Sequence, residues 1–314
     1  TLDVGQGGEL ADVRDRALAG GAVRGHVLDV REDFARDYIL PALKAGAFGS
    51  QPAALGASLA RPLIAKTLVE IARMENSTTI AHGGSEPAAT ALRSCIAALD
   101  PRLTVTAHPG PIADQGWEVD ATSWGRVARA ATSEALSGAV RDDLFRLTRP
   151  AAEAPDRPAR VEIAFEQGRP VAVTGIAMPI GELIESLSTI AGAHGVGRVD
   201  RHDTGPGLPP SRVIQEAPAA HVLHLAHGAL TAAISAPEVS RFATLLAGQY
   251  AELIEHGLWF SPLRDACDAF VRCIQERVSG TVRLTLFKGG ATVDGCSPGL
   301  PAPIEDAELI APGR

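Results

Sequence analysis

The sequence predicts an α/β protein in which a parallel sheet covered by helices gives way to a mixed α+β half. Three observations carry that prediction. Over the first third, short β-rich runs alternate with stretches of helical periodicity, the pattern of strand–helix–strand units. Residues 151–159 read AAEAPDRPA, polar and broken by proline, as a linker or an exposed crossing is. Beyond them, pairs of β-rich runs meet at Gln167-Gly168 and at Gly289-Gly290, which suit tight hairpin turns.

Taken in order, residues 1–4, 22–30, 78–82 and 103–107 are mostly apolar runs of strand length. Residues 9–19 place Leu10, Val13 and Leu18 on one helical side, and residues 31–47 do the same with Phe34, Tyr38, Ile39 and Leu43. The clearest helix is 59–74, with Leu63, Ile64, Leu68, Ile71 and Ala72 as its buried stripe. Pro62 fits its first turn, where a missing N–H costs nothing. In the second half, 161–165 and 170–174 form a hairpin and 181–193 a helix. A proline and glycine loop at 204–210 then leads to helices at 217–234, 237–256 and 263–277. Strands at 281–288 and 291–294 close the fold, and 297–314 reads as a loose, proline-rich tail.

Composition narrows the function. A chain of 314 residues makes about two domains and buries a core without staples. The four cysteines show no CxxC pair, which excludes a disulfide scaffold or a zinc module and fits a reducing cytoplasm. A net charge of -8 without a basic run argues against nucleic acid as the partner, and no apolar stretch has the length of a membrane span. Small-molecule chemistry is the better expectation.

Candidate residues are sparse. His82-Gly83-Gly84-Ser85 stands where a strand gives way to a helix, a position whose backbone N–H groups can hold an anion, although a plain turn has the same text. Gly5-Gln6-Gly7-Gly8 occupies the equivalent place after the first strand. His221, His224 and His227 share a helical side, but no fourth ligand has matching spacing, so no metal ligand is assigned. Arg61, Arg93, Asp203 and Ser211-Arg212 with Glu216 lie near element ends, where surface or capping roles are commoner. Trp259-Phe260 reads as core.

Several stretches together resemble argininosuccinate synthase. They are TLDVGQG (1–7), SLARPLIAKTLVEIAR (58–73), IAHG (80–83), SWGR (123–126), RVEIAFEQGRPVAV (160–173), IAGAHGVGRVD (190–200), SR with EAPAA (211–220), YAELIEHGLWFSPLRDACDAF (250–270) and QERVSGTVRLTLFKG (275–289). The resemblance implies an adenine-nucleotide-binding α/β domain over 1–125, an α+β synthetase domain over 126–296 and a tail over 297–314. It also implies the family's chemistry: ATP, with Mg2+, adenylates the ureido oxygen of citrulline, pyrophosphate leaves, and the amine of aspartate displaces AMP. A homo-oligomer acting on amino-acid substrates is expected. In the family an SGGxDTS loop precedes TLDxGQG and cradles the pyrophosphate; this chain begins at Thr1 without Met, so something is expected to precede it.

Carried over by position, the resemblance assigns Leu2, His82 and Gly83 to the nucleotide. It assigns Ser58, Arg93, Asp203, Gln215 and Ser85 to the amino-acid substrates. Several positions depart. Asp203 replaces a glutamate, Ala53 and Gln215 replace tyrosines, and Glu118 and Val127 replace serines. The family's HGxTGKGNDQVRFE reads HGGSEPAATALRSC here, so Ser85, Ala89 and Thr90 stand for a threonine, an asparagine and an aspartate. Charge-assisted bonds to a carboxylate are worth about 1.5–3 kcal/mol each, so losing two costs roughly two to four decades in affinity. The leading expectation is therefore a ligase with an altered amine substrate. A non-catalytic relative used for binding or assembly, and an unaltered synthase with an incomplete chain, are the alternatives.

Overall fold

The computed structural model describes residues 1–8, 10–49, 52–83, 88–107, 117–140, 142–203 and 210–299. The first half contains two parallel pairs. β1 (Leu2–Asp3) joins β2 (Leu28–Asp29) through α1 (Leu10–Ala19), and β3 (Thr79–His82) joins β4 (Thr104–Ala107) through α5 (Ala88–Leu99). The strand expected at 22–30 is thus only two residues long. Its pairing is set by β1: Leu28 donates to Thr1 and Val30 to Asp3, and residues 22–24 are exposed.

The helix expected at 31–47 is broken into α2 (Arg31–Phe34), a π-helical turn (Ala35–Ile39) and α3 (Leu40–Lys44). Pro41 supplies the reason. It has no N–H and its ring crowds the carbonyl one turn back, so the helix widens ahead of it. The segment still buries Phe34, Ala35, Tyr38, Ile39, Ala42 and Leu43. It ends in a left-handed Gly46 (φ 69°), with Ala47 N–H on Ala42 O and Gly46 N–H on Leu43 O, the paired bonds of a glycine-terminated helix.

α4 (Pro52–Met74) corrects the sequence reading in one respect: it begins seven residues before 59, so Pro62 lies in its interior rather than its first turn. Burial of Leu55 and Leu59 shows that the apolar stripe continues backwards, and the packing it gains outweighs the bond lost at Pro62. One side of α4 forms a small core with α5 and β3 through Ala65, Val69, Ile80, Leu92 and Ile96. The other joins the main core.

Two antiparallel sheets make up the second half. The first contains β5 (Glu118–Thr122), β6 (Gly125–Ala130), β10 (Arg198–Asp203) and β11 (Ser211–Glu216) in the order β10-β11-β6-β5. None of these strands was expected from the sequence. Between β6 and β10 run α6 (Ser133–Ser137), capped by the Thr132 hydroxyl, then β7 (Ala159–Glu166), β8 (Arg169–Val173), β9 (Ile176–Ala177) and α7 (Ile180–Ala193). The second sheet is ordered β13-β12-β7-β8-β9, with β12 (Gly280–Phe287) and β13 (Gly290–Pro298) as the closing hairpin. Because β13 pairs with β12 as far as Pro298, residues 297 and 298 belong to the sheet and not to a loose tail. Both expected hairpin turns are present, with Gln167 and Gly168 at φ 49° and 73°, and Lys288 and Gly289 at 43° and 90°.

α8 (Pro218–Ile234), α9 (Pro237–Glu255) and α10 (Pro262–Gln275) complete the chain, the last capped by Ser261. α7 and α8 cover the second sheet. The main core runs from Phe34 through Leu59, Trp124, Ile163, Leu187 and Leu223 to Leu286. Trp259 packs as expected, stacked on Tyr38 at 5.3 Å, with the Arg264 guanidinium 4.0 Å from its ring. No helix among the described residues is long and apolar enough to cross a membrane.

Candidate functional site

A cavity of about 570 Å³ lies between β1, β3, α4, α5 and β5. Leu2, Ile64, Leu68 and Leu92 give it apolar walls, and His82, Arg61, Glu118 and Asp120 give it polar ones. In a parallel strand–helix fold, ligands enter at the carboxyl ends of strands, and Leu2 and His82 stand on two such strands.

The turn after β1 is held by its own side chains. Gln6 accepts from Val4 N–H at 2.8 Å and donates to Leu2 O at 2.7 Å, and Asp3 accepts from Gly5 N–H at 2.9 Å. Gly5 is required there. It sits at φ 85°, and a β-carbon on it would fall 2.6 Å from that of Ser123 in the β5–β6 turn. The same turn donates Ser123 N–H to Val4 O at 2.7 Å, so the first sheet of the second half is stitched directly to the cavity wall.

Arg61 projects from α4 into the cavity, with Nη1 3.5 Å from the Glu255 carbonyl. Removal from water pushes its pKa down, and Asp120 partly opposes this. The Asp120 carboxyl is pushed up by desolvation, and Arg129 at 3.5 Å works against that shift. A guanidinium and two carboxylates around one apolar cleft can orient a ligand that carries both charges.

Strand register identifies a second gathering of polar groups. Cross-strand partners share a face of a sheet. The pairs Arg129↔Glu118 and Val127↔Asp120, Gln215↔Val127 and Val213↔Arg129, and Val199↔Gln215, Arg201↔Val213 and Asp203↔Ser211 therefore place these residues together. Val127 and Val213 pack in the same core as Leu55 and Leu59, so this is the face that α4 covers.

Each expected residue can now be placed. Leu2 and His82 line one cavity, and exposed Gly83 follows His82. Ser58 is buried on α4, and Gln215 and Asp203 share the sheet face beneath that helix. Asp203 stands at the exposed end of the edge strand, 3.4 Å from Arg201. Arg93 is on α5 and is not among the cavity-lining residues; its Nη2 donates to Thr90 Oγ1 at 2.8 Å. Ser85 lies outside the described residues, as do the side chain of Ala53 and the loop 204–209. Gln215 is 1% exposed, and neither its amide nitrogen nor its amide oxygen has a hydrogen-bond partner. Such a group costs roughly 1–3 kcal/mol unless a ligand satisfies it.

Glu216, next in the chain, is the opposite case. Its carboxylate accepts from the N–H groups of Arg146, Leu147 and Thr148 at 2.8, 3.0 and 2.9 Å, and from the Thr148 hydroxyl at 2.6 Å. Arg198, stacked 3.8 Å over Phe145, donates to the same hydroxyl. These bonds fix β11 and with it the position of Gln215.

Arg61 had been singled out only as a charged group near an element end, and Asp120 not at all. Asp120 is signalled by the alternation of Glu118, Asp120 and Thr122 with Val119 and Ala121, which puts two carboxylates on one face of a strand. Among the described residues no group of three or more His, Cys, Asp or Glu could hold a metal ion. His221, His224 and His227 lie on α8, and buried His227 is hydrogen-bonded to Gln275 at 2.9 Å.

Comparison with known proteins bears on both halves. Residues 1–120 match the arginosuccinate synthase N-terminal HUP domain, and residues 117–306 match the arginosuccinate synthase C-terminal domain. The argininosuccinate synthase of Rubrobacter xylanophilus is 42% identical over 320 residues, covering 94% of this chain and 78% of that protein. The enzyme of the same name from Symbiobacterium thermophilum is 40% identical, covering 92% and 78%, and that from Bacillus thuringiensis 38%, covering 94% and 79%.

Proposed function

Because this chain belongs to the argininosuccinate synthase family, we propose that it is an ATP-dependent, AMP-forming carbon–nitrogen ligase that joins citrulline to aspartate. The observation that carries this reading is the cavity shared by Leu2, His82, Arg61 and Asp120, with the orphaned Gln215 amide on the adjoining sheet face. The nucleotide occupies the cavity between Leu2 and His82, and Mg2+ arrives on its phosphates. The ureido acid lies over the face of β5, β6, β11 and β10, where Gln215, Ser58 and Asp203 meet its polar groups.

The chemistry follows from need. A ureido oxygen is a poor leaving group; adenylation releases pyrophosphate and converts it to AMP, which the incoming amine displaces. The chain's part is to hold the reactants in line and exclude water. The division at about residue 125, an assembly of several copies and a cytoplasmic setting belong to the same proposal. Buried free Cys95 and Cys267 are in keeping with a reducing compartment.

Identity of about 40% across both domains supports the family's own reaction more than a changed amine or a non-catalytic role. One observation favours the changed amine: Ala89 is buried in the core and the Thr90 hydroxyl is engaged by Arg93, so neither is free to meet a dicarboxylic amino acid. Pyrophosphate release by the full-length protein with ATP, citrulline and each of several amines decides between the readings. Aspartate is expected to give the highest kcat/KM. A neutral amine that beats it by tenfold would establish the second reading, and no release with any pair would defeat both.

A further inference from the structure

A second cavity, of about 590 Å³, is formed by the end of α3 and its following turn, α8, α9 and α10. Its walls are Phe48, Leu55, Leu246, Ala247 and Phe270. It lies on the other side of α4 from the nucleotide cavity, since Leu55 lines the one and Ala57, Ala60 and Arg61 the other. A volume of this size suits a small organic molecule.

Lys44 is the lysine of this cavity, and it is an anomaly. It is partly buried, and among the described residues its ammonium makes no hydrogen bond and no ion pair. Glu255 is the carboxylate among the lining residues, and the two are not paired. A second cation stands close by. The Gln275 amide donates to Lys44 O at 3.2 Å, and its oxygen lies against Gly168, where a β-carbon would come within 1.9 Å of it. Arg169 follows Gly168 and makes no ion pair with its cross-strand neighbour Glu166. Burial and Arg169 together hold the Lys44 pKa below its ordinary value. The other titratable lining groups, His224 and His227, are likewise shifted toward the neutral form by burial and cannot neutralise a cation. Two unpaired cations beside an apolar chamber lack an anion, and the chamber sets the shape of what could bring it.

We propose that this cavity binds a small organic carboxylate with an apolar body, the carboxylate on Lys44 and the body between Phe48, Leu246 and Phe270. The site is independent of the ligase reading. One negative charge matches the lysine, and the apolar walls disfavour a bare inorganic anion.

Isothermal titration of the full-length protein with 3-phenylpropionate, hexanoate and cyclohexanecarboxylate tests the site, with 3-phenylpropanamide and inorganic phosphate as controls. At least one carboxylate is expected to bind below about 10 mM, its neutral amide about tenfold more weakly, and phosphate not to displace it. Lys44→Met is expected to weaken carboxylate binding about tenfold without changing amide binding. Ala243→Phe, which fills the chamber and touches no charge, is expected to weaken it by a similar factor and serves if Lys44→Met does not fold. The proposal is overturned if none of the three carboxylates binds, if amide and carboxylate bind alike, if phosphate displaces the carboxylate, or if either folded variant binds as the parent does.

Discussion

Replacing Gln215 with leucine should make the protein more stable and less able to hold its acceptor. Gln215 is 1% exposed, and both polar ends of its amide lack partners. Its cross-strand neighbours on the same face are Val127 and Val199. Leucine has nearly the same volume and no polar atoms, so the substitution removes an unsatisfied amide and leaves no large void. The gain is the desolvation penalty of that amide, about 1–3 kcal/mol. With an unfolding entropy of about 2.1 cal/mol/K per residue, this raises the thermal midpoint by roughly 2–5 °C. The lost contact to the ureido acid is worth about 1–2 kcal/mol, so KM for that substrate should rise five- to thirtyfold. Scanning calorimetry without substrate and initial rates with varied citrulline measure the two effects. A variant that is less stable by more than about 1 kcal/mol with KM unchanged would refute the reasoning, because the amide would then be satisfied within the folded chain.

Further consequences concern stability. Gly5→Ala should cost about 2–4 kcal/mol, from a left-handed φ and a clash with Ser123, and should disturb nucleotide binding because the same turn walls the cavity; urea titration and nucleotide titration check this. Glu216→Ala leaves three backbone N–H groups and a hydroxyl without their acceptor, and should lower stability by about 3–5 kcal/mol in urea. His227 gives a pH signature. Burial lowers its pKa from 6.5 to about 4, so between those values the unfolded chain binds a proton that the folded chain does not. Stability from this group is complete above pH 6.5 and is lost as pH falls toward 4, by about 3 kcal/mol at 1.4 kcal/mol per pH unit. In His227→Gln that portion of the acid slope should be missing from denaturation curves taken between pH 4 and 7.

Local patterns were legible where local physics decides. Gln167-Gly168 and Gly289-Gly290 take the left-handed conformations that two-residue hairpins need, and the apolar stripes of α7 to α10 fall where their periodicity put them. What was hidden depends on partners distant in sequence. β5 and β10 carry Glu118, Asp120, Arg201 and Asp203 on the face beneath α4, so they read as polar segments and not as strands. The length of β2 was set by β1, and the π-helical turn before Pro41 interrupts a pattern that looks continuous. Leu2 and His82 could be named from strand ends and resemblance together, but that Arg61 shares their cavity with Asp120 follows only from α4 lying over β5.

Transfer of an oxygen label tests the central claim most directly. Citrulline carrying ¹⁸O in its ureido group, incubated with ATP, aspartate and the full-length protein, should yield AMP that contains the label, because the ureido oxygen leaves as part of the phosphate. Unlabelled AMP, or pyrophosphate release that does not depend on citrulline, would contradict adenylation of the ureido oxygen at this site.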